Sequence, residues 1–163
     1  MSSMTDSDLL SIFRDEVGEY LSTLNNTLLQ IETSASDAEV LREMNRVAHS
    51  MKGAARAVGL KVIETIAHYM EDVFEAALRA HLTLSPDVCD LLYDGLDLIQ
   101  NTVDGLDNDQ QTLAEVLARL EQVIAASEPL AADGADSADS DGALPGAEPE
   151  PTPPPASKHT RAE

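Results

Sequence analysis

SDAEVLREMNRVAHSMKGAARAVG, residues 36–59, is the stretch that decides the fold class. Its apolar side chains recur at steps of three and four, the period of a helix that buries one face. They are Val40, Leu41, Met44, Val47, Met51, Ala55 and Val58. Ser36 and Asp37 are residue types that cap a helix start, and Gly59 readily adopts the left-handed conformation that ends many helices. The stretch therefore predicts one amphipathic helix.

Four further stretches within residues 1–127 have the same helical period, and none alternates as a strand would. One begins behind the polar residues 5–7, one behind Ser85 with Pro86 at the first helical position, and the last at Asp107 or Asn108. Their apolar positions are Leu9, Phe13, Val17, Tyr20, Leu24, Leu28 and Ile31; Val62, Ile63, Ile66, Met70, Val73, Phe74 and Ala77; Val88, Leu91, Leu92, Ile99 and Val103; and Leu113, Val116, Leu117, Leu120, Val123 and Ile124. We predict an all-α fold, an up-down antiparallel helical bundle of five helices.

The composition changes near Ser127. Residues 128–163 contain seven of the eight prolines of the chain and almost no large apolar side chains. Such a segment cannot bury enough surface to offset the entropy lost on ordering. We therefore predict a helical domain over 1–127 and a disordered linker rich in proline, alanine and acidic residues over 128–163. The linker is either a loose tail or a tether to further domains.

The charge of the chain excludes several classes of partner. Ten basic residues stand against 30 acidic ones, a formal charge of −20, so nucleic acid and anionic membrane surfaces would be repelled. The single cysteine, Cys89, excludes an internal disulfide framework. The N-terminus has no signal-peptide pattern, and no uncharged apolar run is long enough to span a membrane. These features predict a cytoplasmic protein with no nucleic-acid or membrane partner.

One face of the helix over residues 36–59 does not fit a simple core. His49, Lys52, Gly53 and Arg56 lie at i, i+3, i+4 and i+7 and so share a face apart from the apolar stripe. A glycine inside a helix costs about 1 kcal/mol relative to alanine. Either Gly53 allows close packing against a neighbouring helix, or its missing side chain lets a bulky partner reach the histidine.

The next helix brings His68 and Glu71 to the same level if the two helices are antiparallel about Gly59. His49 lies ten positions before that glycine, and His68 and Glu71 lie nine and twelve after it. A carboxylate there can accept the Nδ1 proton of His49 and leave the Nε2 lone pair free as a nucleophile. Lys52 supplies a positive charge for a transferring phosphoryl group. A half-buried His68 and a solvated Glu71 without such roles are the simpler alternatives.

The run RVAHSMKGAA, residues 46–55, resembles the His-Ser-x-Lys-Gly motif of histidine phosphotransfer (HPt) domains, and in particular the N-terminal phosphotransfer domain of CheA-type chemotaxis histidine kinases. In that family a helix bearing His-x-x-Glu follows 19 residues after the histidine, where this chain has HYME, residues 68–71. The likeness covers about residues 5–127. The family often has a second glycine after Lys-Gly, where this chain has Ala54 and Ala55.

The resemblance implies a role for each matching residue. His49 would be phosphorylated, Glu71 would orient its imidazole, and Lys52 would help with the phosphoryl charge. Gly53 would give a partner access to the histidine, and His68 would belong to the supporting network. Arg46 and Arg56 belong to a group of basic residues on or just after this helix that could steer an acidic partner toward His49, although ion pairs within the bundle would also explain some of them. The group also includes Arg42, Lys52 and Lys61.

The resemblance also implies the partners. ATP and Mg²⁺ would be held by a separate kinase domain, of the same or another subunit, and the phosphoryl group would pass to an aspartate of a response-regulator receiver domain. This chain itself would hold no cofactor. It has no phosphate-binding Gly-x-x-x-x-Gly-Lys-Ser/Thr loop, and nothing in it resembles the ATP-binding domain of the family.

Three alternatives accompany this hypothesis. The nearest is a stand-alone phosphorelay protein of the same family. A non-catalytic adaptor bundle would bind a partner helix through an apolar groove and need no chemistry at His49. A di-iron enzyme would need Glu-x-x-His on two helices, but the residues three before His49, His68 and His81 are arginine, threonine and leucine.

Overall fold

The computed structural model describes residues 4–33 and 37–128 and folds them into five helices. These are α1 (Asp6–Thr33), α2 (Ala38–Val58), α3 (Lys61–Leu78), α4 (Pro86–Val103) and α5 (Gln110–Ser127). The described residues contain no strand. The prediction of an all-α protein with five helices is therefore confirmed. The predicted linker, 128–163, lies outside the described residues apart from Glu128, so the domain boundary stays a prediction.

The helix ends follow local capping chemistry. Asp37 accepts the backbone N–H of Glu39 at the start of α2, and Gly59 ends that helix in the left-handed conformation, with φ 75°. Ser85 caps α4 as the sequence predicts, with proline at the first helical position. The predicted start of α5 at Asp107 or Asn108 is wrong. The Asp109 carboxylate accepts the backbone N–H of Thr112 at 2.9 Å, so α5 begins at Gln110.

Consecutive helices pack on each other from α1 to α5, and α1 also contacts α4 while α3 contacts α5. All five helices contribute to the buried core, and the residues that α2 and α3 supply to it include Met44, Met51, Ile63, Ile66 and Met70. On α1 the first buried residue is Phe13, and Leu9, predicted to lie in the core stripe, is 36% exposed. Residues 4–12 are all exposed, so the apolar period of α1 extends beyond the part of the helix that is packed.

Among the described glycines, Gly95 has the closest neighbours, at the point where α4 crosses α3. A Cβ atom placed on Gly95 of α4 would come within 2.6 Å of Met70 Cε and 3.3 Å of Ile66 Cγ2. Real Cβ atoms do not approach other atoms to 2.6 Å, so the missing side chain allows this crossing. We call these three residues the Gly95 crossing. Within the described ranges, no helix is both long and apolar enough to cross a bilayer.

Candidate functional site

A row of polar contacts joins the exposed edges of α2 and α3. Asn45, His49, Lys52 and Arg56 lie at i, i+4, i+7 and i+11, so they follow one line along α2. The first three contact Glu71 of α3, and Arg56 contacts Glu64 of the same helix. We call these six residues the polar seam. Partner numbers on α3 fall as numbers on α2 rise, so these two helices run in opposite directions.

The Glu71 carboxylate bridges two side chains of α2. His49 Nδ1 lies 2.6 Å from Oε1, and Lys52 Nζ donates to Oε2 at 2.5 Å. Partial burial alone would raise the pKa of Glu71, but the hydrogen bonds and charges of Lys52 and His49 outweigh it and hold that pKa below its usual range. Glu71 is therefore ionised at neutral pH and can only accept hydrogen bonds.

This geometry fixes the tautomer of the His49 imidazole. Because the Glu71 carboxylate only accepts, His49 Nδ1 must carry the proton, and neutral imidazole then has its lone pair on Nε2. The His49 side chain is 66% exposed, whereas the side chains of Lys52 and Glu71 are 18% and 17% exposed. A half-buried carboxylate and ammonium thus orient an exposed nitrogen nucleophile.

The space beside Gly53 is open. A Cβ atom built on this residue would meet nothing within 4 Å, apart from the backbone of its own helix. The interpretation that Gly53 allows close packing within the bundle is therefore wrong. Glycine still costs stability inside a helix, and no contact described within the domain requires it.

The other predicted site residues lie apart from His49. His68 is exposed, and its Nε2 lies 3.3 Å from Asp72 Oδ2 on the same helix. Among the described residues, His68 makes no hydrogen bond or ion pair with His49, Lys52 or Glu71. Its predicted place in the supporting network is therefore at most indirect, through α3.

The two arginines differ from each other. Arg56 Nε donates to Glu64 Oε1 at 2.9 Å, at the far end of the polar seam. Arg46 is exposed one turn before His49, where it lines a shallow cleft with Arg42, Glu39 and Glu43. Ion pairing within the bundle thus accounts for Arg56, whereas Arg46 lies on the solvent side of α2 near the histidine.

Asn45 belongs to the site and was missed from the sequence. Its Nδ2 donates to the backbone carbonyl oxygen of Glu71 at 3.0 Å, and its side chain is partly buried. A signal was available: asparagine is a poor residue for a helix interior, and this one lies four positions before His49 on the same line. Asp72, next to Glu71, was missed as the partner of His68.

The motif, the five helices and the histidine–carboxylate pair agree with a match to a known family. The Hpt domain family model matches residues 8–109, more than half of the chain. The chain belongs to the Hpt domain family. The match covers every residue of the polar seam and includes the whole of α2, α3 and α4.

Curated relatives and a solved structure resemble this Hpt domain. The chemotaxis protein CheA of Salmonella typhimurium is 32% identical over 109 residues, 67% of this chain and 16% of the relative. CheA of Bacillus subtilis is 30% identical over 116 residues, 69% of this chain and 17% of the relative. The chain thus spans about a sixth of the length of these relatives.

The solved structure is a crystal structure of the phosphorylated P1 domain of CheA3 in complex with CheY6 from R. sphaeroides. It matches this Hpt domain with a TM-score of 0.64 and 21% identity, covering 76% of this chain and all of that one. At this identity the likeness shows a shared fold.

Proposed function

We propose that this Hpt domain serves a CheA-type chemotaxis kinase: His49 accepts a phosphoryl group from ATP bound to a separate kinase domain and passes it to a receiver aspartate. One observation carries the proposal. The exposed His49 imidazole is held through Nδ1 by the ionised Glu71 carboxylate, so its nucleophilic nitrogen faces solvent. The proposed location is the cytoplasm, where ATP is available.

The proposed step transfers one phosphoryl group. The Nε2 lone pair of His49 attacks the γ-phosphorus, a nitrogen–phosphorus bond forms, and the bond from phosphorus to the bridging oxygen breaks to release ADP. The positive charge that develops on the ring is shared with Nδ1–H, where the Glu71 carboxylate stabilises it. ATP and Mg²⁺ stay with the kinase domain, and this chain supplies the acceptor.

Lys52 supports this step in two ways. Its ammonium hydrogen-bonds to Glu71 Oε2 and keeps that carboxylate ionised and oriented. It also places a positive charge one turn from His49, where it attracts the phosphoryl oxygens. His68 would act only through Asp72, the neighbour of Glu71, because that is its charged contact.

The receiver partner is proposed from three observations. The solved relative is a phosphorylated P1 domain in complex with CheY6. The space over Gly53 is open to an incoming partner. Arg46 is exposed one turn from His49 and would attract the acidic active site of a receiver domain.

Labelled phosphate tests the proposal. The unaltered chain, His49→Gln and His81→Gln are each incubated with labelled ATP and a CheA-type catalytic core. His81 is an exposed histidine after α3 and serves as the matched control. We expect acid-labile, alkali-stable label on the unaltered chain and on His81→Gln, and none on His49→Gln. A receiver domain added afterwards should remove the label.

Two results would contradict the proposal. Label that persists in His49→Gln would place the phosphorylated residue elsewhere, with His68 the next to replace. No label on the unaltered chain, from several kinase cores and from phosphoramidate, would favour the adaptor alternative.

A further inference from the structure

Three side chains of α2 end on one residue of α3. Asn45 donates to the Glu71 backbone carbonyl at 3.0 Å, His49 contacts Oε1 at 2.6 Å, and Lys52 contacts Oε2. Two of these contacts hold the carboxylate, which is the end of a flexible side chain. Only the contact from Asn45 holds the backbone of Glu71, and so it fixes where the side chain starts.

The backbone position decides whether the carboxylate reaches His49. An α-helix rises about 1.5 Å per residue, so a slide of α3 along α2 by one residue would exceed the tolerance of a 2.6 Å contact. Asn45 lies four residues before His49, almost directly below it on α2. Its amide therefore adds a directional bond that holds the backbone of α3 at the level of the histidine.

The presence of an asparagine inside α2 also needs an explanation, because it lowers the stability of the helix. Asparagine lowers helix stability compared with leucine or alanine, because its amide competes for backbone hydrogen bonds. Neighbouring positions Met44 and Val47 are buried apolar residues, and Asn45 itself is partly buried, where an apolar side chain would also pack. Within residues 4–33 and 37–128, the bond to the Glu71 carbonyl is the one hydrogen bond that the Asn45 side chain makes, and it leads to the site.

We propose that Asn45 is a positioning residue, which holds α3 so that Glu71 keeps His49 in the tautomer with the proton on Nδ1. The effect on phosphorylation rests on the function proposed above, whereas the effect on the tautomer does not. Asn45 touches neither the phosphoryl group nor the imidazole in this scheme. It acts through the backbone of Glu71.

The test compares two asparagines with the same kind of bond. Asn108 Nδ2 donates to the Leu98 backbone carbonyl at 3.1 Å, in the connection between α4 and α5. Asn45→Ala and Asn108→Ala each remove one amide-to-carbonyl bond, and Asn108→Ala also removes a bond to Thr102 Oγ1 at 2.8 Å, so the control loses at least as much hydrogen bonding as the test variant. The ¹⁵N shifts of the His49 ring, measured by NMR on the unphosphorylated full chain, report the tautomer, and labelled ATP with a CheA-type core reports the initial rate of phosphorylation.

We expect Asn45→Ala to change the tautomer ratio of His49 about fivefold toward Nε2–H and to slow phosphorylation about fivefold, the change that losing one net hydrogen bond gives. Asn108→Ala should change neither, although it lowers the melting temperature. Asn45→Leu keeps the number and branching of the side-chain heavy atoms and favours the helix, so it guards against poor folding, and we expect the same shift from it.

Unchanged ring shifts in a folded Asn45→Leu protein would overturn the proposal, because the contact would then be structural only. Equal changes from Asn45→Ala and Asn108→Ala would overturn it as well, since they would reflect general loosening. If the unaltered chain takes no label from any kinase core, the proposed function fails, and the ring shifts alone still decide the role of Asn45.

Discussion

Gly53 and Gly95 both lie inside helices, yet their surroundings are opposite. A Cβ atom on Gly95 would overlap Met70 Cε at 2.6 Å, whereas one on Gly53 would meet nothing within 4 Å. The neighbours that require a glycine at 95 belong to the bundle. At 53 the bundle contains no such neighbour, so the requirement comes from outside the domain or does not exist.

The same contrast applies to the two sides of α3. Toward α4, at the Gly95 crossing, α3 presents Ile66 and Met70, which are buried and apolar. Toward α2, in the polar seam, it presents Glu64 and Glu71, each of which binds basic or polar side chains. One side determines whether the domain folds, and the other has polar groups arranged around one exposed histidine. Substitutions on the two sides should therefore separate stability from phosphotransfer.

The largest effect is expected in the polar seam, from Glu71→Gln. The amide cannot stabilise the positive ring of His49, so phosphorylation by a CheA-type core should slow about a hundredfold. Glu64→Gln is the matched control, because Glu64 binds Arg56 and Lys61 in the same seam and does not contact His49. We expect Glu64→Gln to keep the unaltered rate. Equal losses in both variants would show that the seam acts only as structure.

At the Gly95 crossing we expect a loss of stability with no loss of chemistry. Gly95→Ala forces Met70 to move and should lower the free energy of unfolding by about 1–3 kcal/mol, the range for an overpacked core. Since Met70 Cε is the end of a flexible side chain, the lower half of that range is expected. Urea unfolding measures it, and the phosphorylation rate per folded molecule should stay unchanged. An increase in stability would refute the close approach at this crossing.

Gly53→Ala should have the reverse effects of Gly95→Ala: it should stabilise the domain and slow phosphoryl transfer. Alanine fits the open space and should raise the free energy of unfolding by about 0.5–1 kcal/mol, because it favours the helix. If a partner needs that space, phosphoryl transfer from His49 to a receiver domain should slow. Gly18→Ala is the matched control, since Gly18 lies inside α1 and also faces open space. A lower free energy of unfolding in Gly53→Ala would contradict the open space at this position. Phosphoryl transfer as fast as in Gly18→Ala would contradict the proposal that a partner needs that space.

The residues that could be predicted from sequence are those fixed by local rules. Helical period places α2 and α3, and Ser85 with Pro86 places the start of α4. Counting outward from Gly59 brings His49 level with Glu71, and the structure joins them. That count works because antiparallel helices joined by a short turn have few ways to align.

Prediction from sequence failed where several residues could make the same contact and only the tertiary structure selects one of them. Asp107, Asn108 and Asp109 are three consecutive helix-capping types, and only the bond to Thr112 selects Asp109. Helix spacing puts Arg56 on the face of His49, two turns further along α2. It does not reveal that Arg56 is bound there by Glu64 of α3. Asn45 was missed because a polar residue four positions before His49 does not by itself identify its partner on another helix.

The smallest predicted effect is on the stability of the domain in acid, where Glu71 and its neighbour Asp72 on α3 should act in opposite directions. Lys52 and His49 hold the pKa of Glu71 below its usual value of about 4.3, so its contribution to stability is complete above that value and is lost as the pH falls through the lowered folded pKa. Asp72 is the reverse case. Burial raises its pKa against the attraction of His68, and Glu71 and Glu75 add to the increase, so its ionised form costs stability that is regained as the pH falls.

Urea unfolding between about pH 7 and pH 3 separates the two carboxylates, since this interval includes the usual carboxyl pKa values. Glu71→Gln should make the loss of stability in acid shallower than in the unaltered chain, whereas Asp72→Asn should make it steeper. The two residues are adjacent and both are close to Lys52, so the opposite signs would come from their contacts. A loss of stability in acid that is steeper in Glu71→Gln than in the unaltered chain would mean that the ionised Glu71 carboxylate is not held by Lys52 and His49, and the fixed tautomer of His49 would lose its physical basis.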